Sequence, residues 1–192
     1  MEKQENNRSA KSKMIKKLAA KIIAMANEDI QMRRRYSKTG EWQTKTDKRN
    51  TKSMKQIVGK YGWPTVSLVG KKANLLAWLL VQHADLDPHF QAHCLILMKE
   101  IARKNPEDID KSGIAYLTDR VKVNSGTSQL FGTQFYVKDG KMIPRPIRDI
   151  KGLEKRRTNF NLEPFEKNKQ RMENNYKRYQ KNAARSPIKK GA

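Results

Sequence analysis

Apolar and charged residues are separated along this chain, and the separation decides which segments can form a core. Only 36% of the 192 residues are hydrophobic, and the net charge is +23. Residues 61–150 contain nearly all the strong apolar segments, with 12 basic and nine acidic side chains. Residues 1–60 carry 17 basic and six acidic side chains, and residues 151–192 carry 13 and four. The core therefore has to form mainly from the middle of the chain, whereas the positive charge belongs to both ends.

The length and the periodicity together predict one mainly α domain (α+β) over residues 13–182. It should contain four to six helices and one small β-hairpin near residues 130–143. Residues 1–12 and 183–192 lack apolar periodicity, so basic disordered tails are predicted there.

The helices are predicted from apolar spacing and from capping signals. In the first helix the apolar stripe consists of Ile15, Leu18, Ile22, Ala26 and Ile30. The second has apolar residues around most of its circumference, which is typical of a central buried helix. The predicted helices span about Lys13–Tyr36, Val66–Ala84, Ser112–Val123 and Glu163–Ala184, and a further helix starts at Asp87-Pro88 and stops near Asn105-Pro106.

Three segments between these helices have other patterns. Leu130–Val137 and Lys141–Ile143 flank the turn signal Asp139-Gly140, which predicts the hairpin. Gly62-Trp63-Pro64 predicts a break. Thr44–Lys55 is polar, and both a loop and a solvated helix fit its composition.

Three features of the sequence bear on the cellular compartment of the protein. Cys94 is the only cysteine, which excludes an intrachain disulfide and favours a reducing compartment. The stretch Met1–Lys17 lacks the apolar run of a secretory signal, and the longest apolar stretch, Ala73–Val81, is too short to cross a bilayer. We therefore expect a cytoplasmic protein.

Signature motifs of several enzyme classes are missing from the sequence. It has no phosphate-binding GxxxxGK[ST], no GxGxxG and no nucleophile elbow, so a kinase, a dinucleotide enzyme or a serine hydrolase is unsupported. It also has no HExxH and no CxxC. His89 and His93 are four residues apart and share a helix face, but a third metal ligand at diagnostic spacing is missing. We expect neither a metal nor a cofactor.

Five short motifs occur in a fixed order, and together they resemble an uncharacterised bacterial domain family, a domain of unknown function. The resemblance covers about residues 25–157 and implies a domain, but no reaction, because no activity is established for the family. The family pattern has Tyr where this chain has Phe131, so no hydroxyl function is expected there. The motifs are Met25-Ala26-x-x-Asp29-x-x-x-Arg33, Gly62-Trp63-Pro64, Gln82-His83-Ala84-Asp85, Tyr116-Leu117-x-Asp119-Arg120-Val121 and Gly132-Thr133-Gln134.

The first hypothesis for function is a polar pocket that binds a small ligand or catalyses a reaction. His83 is the candidate general base of a hydrolase or transferase, because histidine changes its charge near neutral pH. Asp85 is the candidate that orients it, and Gln82 precedes them at the end of the most apolar helix. The alternative is that His83 caps this helix and Asp85 belongs to the following turn.

The remaining pocket candidates come from the preceding break and from the second half of the chain. Arg120 could clamp a carboxylate or phosphate, or it could form a structural ion pair with Asp85 or Asp29. Gln129 and Gln134 offer amide donors and acceptors to a ligand, or they tie the hairpin to the helices. Trp63 completes the predicted lining.

The second hypothesis is nucleic-acid binding without sequence preference. Phosphates would contact Arg33, Arg34 and Arg35, together with the basic runs Lys45–Lys60 and Lys177–Lys190. The aromatic residues interleaved with these charges are Tyr36, Trp42, Tyr176 and Tyr179. The alternative is that the basic ends serve only solubility.

A structural or protein-interaction module is the third hypothesis, with the last helix as a docking arm. The sequence leaves the oligomeric state open. We rank the pocket first and nucleic-acid binding second.

Overall fold

The computed structural model describes the backbone of residues 2–39 and 43–185, and the side chains of residues 12–36 and 43–182. The chain divides into two compact units. The first comprises Met1–Asp29 and Asp47–Asp110, and the second comprises Ile30–Thr46 and Lys111–Ala192. The single domain predicted over residues 13–182 stays a prediction.

The fold is mainly α with one hairpin, as the sequence predicts, and the described residues form seven α-helices. In chain order the elements are α1 (Glu2–Thr39), α2 (Thr44–Tyr61), α3 (Val66–Gln82), α4 (Pro88–Lys104), a 3-10 turn (Pro106–Asp108), α5 (Lys111–Asn124), β1 (Phe135–Lys138), β2 (Lys141–Pro144), α6 (Leu153–Asn159) and α7 (Phe165–Arg185). Helix α1 begins at Glu2, so it extends through the segment predicted as a basic tail. The predicted tail at 183–192 lies largely outside the described residues.

The buried stripe of α1 in the first unit includes a carboxylate. Leu18, Ile22 and Ala26 are buried as predicted, and the next position of the stripe is Asp29. Ile30, which the apolar pattern places on the stripe, is only half-buried. The helix therefore buries a charged group in line with its apolar residues, and this group needs a polar partner.

Helix α2 is neither a loop nor a fully solvated helix. Residues three and four apart lie on the same side of a helix. One side of α2 is buried and holds both polar and apolar residues, and the opposite side is exposed and basic. The buried residues in the first unit are Asp47, Asn50, Thr51, Met54, Ile57 and Val58. The exposed basic residues there are Lys48, Arg49, Lys52, Lys55 and Lys60.

The break at Gly62-Trp63-Pro64 separates α2 from α3 as predicted. Gly62 has φ 71, which favours glycine, and its N–H donates to Val58 O at 2.9 Å to close α2. Thr65 then caps α3 by accepting a hydrogen bond from Leu68 N. In α3, which was expected to be largely buried, Leu80 and Val81 lie in the core and Leu75 is 43% exposed.

Helix α4 begins as its capping signal predicts. The Asp87 side chain accepts a hydrogen bond from Phe90 N at 3.0 Å, and Pro88 occupies the first turn. Cys94 and Met98 lie in the core. Burial raises the pKa of the Cys94 thiol to about 12, so this cysteine is an unreactive core residue.

A buried carboxylate organises the second unit. Asp119 on α5 is fully buried, and its oxygens accept hydrogen bonds from the backbone N–H groups of Leu130, Phe131 and Thr133 at 2.7 to 3.1 Å. The Thr133 hydroxyl donates a further bond at 2.9 Å. Burial raises the pKa of Asp119, while these hydrogen bonds act in the opposite direction by favouring the charged form.

The same contacts shorten the hairpin. The strands pair antiparallel from Phe135 opposite Pro144 to Lys138 opposite Lys141. The first strand was predicted to begin at Leu130, but the N–H groups of Leu130, Phe131 and Thr133 donate to Asp119 and that of Gln134 donates to Gln129. Those donors are therefore not available to a ladder.

Gly132 lies in this loop with φ 66, which favours glycine. A Cβ atom at this position would lie 2.7 Å from the ring of Phe165, at the start of α7. The absence of a side chain at Gly132 therefore lets the Phe165 ring approach the loop.

Helix α6 was not predicted, and it supplies a buried arginine. Arg157 is only 1% exposed, and its Nε donates to Glu163 O at 2.8 Å. One of its terminal nitrogens donates to Phe131 O, and the guanidinium lies 5.7 Å from the centroid of the Phe165 ring. Arg157 therefore joins the loop to the start of α7.

Replacing Asp119 by Asn should destabilise the protein by about 3 kcal/mol, because one acceptor oxygen becomes an NH2 group facing N–H donors. Guanidinium denaturation of the full chain would measure the change. Asp139→Asn is the matched control: Asp139 is exposed at the hairpin turn with φ 49, which Asn tolerates. Its expected effect is within about 0.5 kcal/mol. Equal stability of the two variants would contradict the role assigned to Asp119.

Candidate functional site

The strongest candidate site in the first unit is a histidine–aspartate pair. His83 Nδ1 lies 2.8 Å from Asp29 Oδ2, and the two residues are 54 positions apart in the sequence. The Asp29 side chain is 1% exposed and that of His83 is 18% exposed. A buried carboxylate thus holds an imidazole that solvent still reaches.

The position of His83 follows from the end of α3. His83 is the C-cap residue, and its backbone N–H donates to Leu79 O at 3.2 Å. The backbone therefore performs the capping that the structural alternative proposed, while the side chain makes a separate contact with Asp29. The helix cap and the contact with Asp29 therefore use different atoms of His83.

Gln91 on α4 fixes this helix end. It is fully buried, and its Nε2 lies 3.2 Å from the backbone oxygens of Val81 and Gln82 and from Asp85 Oδ1. The last carbonyls of a helix lack intrahelical donors, so an amide at this place stabilises the end. The residues before and after His83 are held by the same side chain.

The sequence assigned the orienting role to Asp85, and the described contact to Nδ1 comes from Asp29. Asp85 is exposed, and its Oδ1 faces Gln91. The signal for Asp29 was present in the sequence: a carboxylate three positions after Ala26, on the stripe of Ile22 and Ala26. Its partner could not be read from the spacing, because His83 belongs to a different helix.

Gln82 and Trp63 also belong to the first unit, and both are buried. Gln82 Oε1 has no hydrogen-bond partner within the described part of the chain. This oxygen is itself buried, so it does not line an open pocket. Trp63 is 3% exposed and belongs to the core.

The other predicted pocket residues lie in the second unit, where the amides serve the hairpin loop. Gln129 Nε2 donates to Gln134 O at 3.0 Å and to Arg145 O at 2.8 Å, and its Oε1 accepts from Gln134 N. Gln134 Nε2 donates to Thr133 Oγ1 at 2.9 Å. Arg120 lies half-buried on α5. The described contacts of Gln129 are those of a structural amide.

The residues predicted to contact phosphate have mixed exposure. Arg34 and Arg35 are exposed and Arg33 is half-buried, all on α1. Tyr176 and Tyr179 stack on each other with ring centroids 6.3 Å apart. The predicted stacking residue Trp42 and the end of the Lys177–Lys190 run lie outside the described residues.

Neither a membrane span nor a metal cluster is found in the part of the chain that the structure describes. Its helices are too short or too polar to cross a bilayer. Among these residues there is also no group of three or more His, Cys, Asp or Glu side chains that could hold a metal ion.

A comparison with protein families gives one result. Residues 17–181 match the model described as "Family of unknown function (DUF6624)". No curated protein and no solved structure matches the chain significantly. The match covers most of both units and carries no activity with it.

The 2.8 Å contact predicts the tautomer of His83. A carboxylate only accepts, so neutral His83 should carry its proton on Nδ1. Long-range proton–nitrogen correlation spectra of the full chain at alkaline pH would show this. In Asp29→Asn the preference for the Nδ1–H form should weaken, since an amide can also donate to the ring. An Nε2–H tautomer in the native protein would contradict the contact.

Proposed function

The chain belongs to this family of unknown function (DUF6624), and we propose from its own side chains that it is a hydrolase or transferase with His83 as general base. Asp29 orients the imidazole. The observation that carries the proposal is the 2.8 Å contact between a buried carboxylate and a partly exposed imidazole. The proposal uses residues of the first unit.

The pairing of these two groups favours a catalytic role because it sets the ring for proton transfer. When Nδ1–H donates to Asp29, the other ring nitrogen is the basic one. The negative charge of Asp29 also stabilises the imidazolium that forms when that nitrogen takes a proton. Because the His83 side chain is 18% exposed, the ring can also be reached from solvent while Asp29 holds it.

The reaction that fits is the transfer of an acyl or phosphoryl group to water or to a hydroxyl. His83 removes the proton from the attacking oxygen, a new bond forms to the electrophilic centre, and the bond to the leaving group breaks. The imidazolium then returns the proton to the leaving group. The Asp85 carboxylate, which is exposed two residues after His83, is an acceptor that could orient a substrate donor.

His83→Gln should lower kcat/KM about 10²- to 10⁴-fold, the usual contribution of a general base. Asp29→Asn should cost a similar factor, because the amide can donate to Nδ1 and favour the unproductive tautomer. The assay is a panel of chromogenic carboxylic esters, phosphate monoesters and phosphate diesters, with the full chain.

His89→Gln is the matched control, since His89 is an exposed histidine on α4 of the same unit. Circular dichroism melts of all variants separate loss of fold from loss of chemistry. Activity that survives in His83→Gln, or no turnover of any substrate by the native chain, would overturn the proposal.

A second candidate function is sequence-independent nucleic-acid binding, and the exposed face of α2 favours it. Its exposed basic residues lie opposite the buried face. Arg49 and Lys55 on this face bind Glu28 and Asp87, so Lys48, Lys52 and Lys60 are its candidates for phosphate contacts.

Binding of this kind should weaken steeply with salt, because each neutralised phosphate of a single strand lowers the slope of log affinity against log salt by about 0.7. Fluorescence anisotropy with labelled oligonucleotides of different sequence, between about 50 and 200 mM salt, would measure it. Affinity that does not depend on salt, or no binding at the lowest salt, would remove this candidate.

A further inference from the structure

We propose that a groove between α1 and α2 in the first unit is a binding site for a single strand of nucleic acid. The inference rests on the second candidate function and names a surface that the sequence did not single out. The groove has a volume of about 320 Å³. It is lined by Met14, Lys17, Leu18, Lys21, Gln56, Ile57, Lys60 and Tyr61.

The geometry of the groove follows from helical spacing. Lys17 and Lys21 are one turn apart on α1, and Lys60 lies near the end of α2, so the three ammonium groups surround the recess. All three lysines are exposed, whereas Leu18 and Ile57 form a buried apolar floor. A ligand in the groove would meet positive charge at the rim and apolar surface below.

The charge of the groove is uncompensated by its own lining. None of its eight lining residues, all within the described side chains, is acidic. A second groove on α2 contains Lys48, Lys52 and Lys55, but there Lys55 Nζ binds Asp87 Oδ2 at 2.7 Å. A groove beside β2 and α7 in the second unit contains Glu173 among its lysines. The groove of α1 and α2 is therefore the best suited of the three to an anion.

An aromatic ring distinguishes the groove from a simple phosphate patch. Tyr61 is half-buried at its edge, and Lys60 Nζ lies 5.2 Å from the centroid of the ring. Lysines can contact the phosphate of a nucleotide while a neighbouring aromatic ring stacks on its base. A duplex hides its bases in the stack, so an unpaired strand fits this pairing better.

The concave shape argues against a membrane surface as the partner. The apolar floor is recessed between two helices, and a flat bilayer would reach the lysines and Met14 without reaching Leu18 or Ile57. A flexible single strand can enter the recess. Charge complementarity and shape together favour the strand.

The test uses the full chain and a labelled polyuridine of about 12 nucleotides, within the usual site size of single-strand binders. Lys17→Gln, Lys21→Gln and Lys60→Gln are combined in one variant. The slope of log affinity against log salt should fall by about 2, which is three phosphates at about 0.7 each. Tyr61→Leu should weaken binding about tenfold through loss of stacking.

The control combines Lys71→Gln, Lys72→Gln and Lys99→Gln. These lysines are exposed on α3 and α4 of the same unit, and the variant has the same net charge as the groove variant. The control should keep the native slope. If both triple variants lose affinity equally, the groove is not the binding site, although the second candidate function still stands.

If the native chain binds no oligonucleotide, the second candidate function fails together with the inference. Stronger binding to a duplex of the same length, or to vesicles containing anionic lipid, also overturns the assignment to a single strand. Thermal melts of every variant exclude loss of fold as the cause of lost binding.

Discussion

Among the described residues, two carboxylates are at most 1% exposed, Asp29 in the first unit and Asp119 in the second, and they impose the main constraint on the structure. The burial of a charged carboxylate costs several kcal/mol unless donors surround it, so each acid determines its neighbours. Asp29 is met by the imidazole of His83. Asp119 is met by backbone N–H groups of the loop that precedes β1. Asp29 holds a side chain that solvent reaches, whereas Asp119 holds backbone groups of a loop. For this reason only the pair of Asp29 and His83 suggests a catalytic role.

Buried amides and one arginine extend the same principle. Gln91 supplies a donor to the end of α3, and Gln129 closes the loop before the hairpin. Arg157 connects that loop to the start of α7 through Phe131 and Glu163. Each of these side chains satisfies backbone groups that regular secondary structure leaves open. The small apolar share of the chain is thus supplemented by polar groups that are buried together with their partners.

The basic residues of α2 lie on one side of the helix. Helix α2 turns its lysines outward and buries Asp47, Asn50 and Thr51 on its opposite face. A helix so polar would not be expected to pack, and its burial depends on Met54 and Ile57 at the centre of the hidden face. Part of the charge that composition assigns to residues 1–60 is therefore presented on one exposed face of α2.

The sequence by itself determined what depends on neighbours within a turn or two. It predicted the mainly α class, the cap at Asp87, the break at Gly62 and the hairpin turn, because capping, left-handed glycine and apolar periodicity are local. It also singled out His83. It did not determine the partner of His83, the buried face of α2, the short first strand or helix α6 with Arg157. Those features were decided by contacts between residues far apart in the chain, where a buried polar group selects whichever donor or acceptor the packing brings near it.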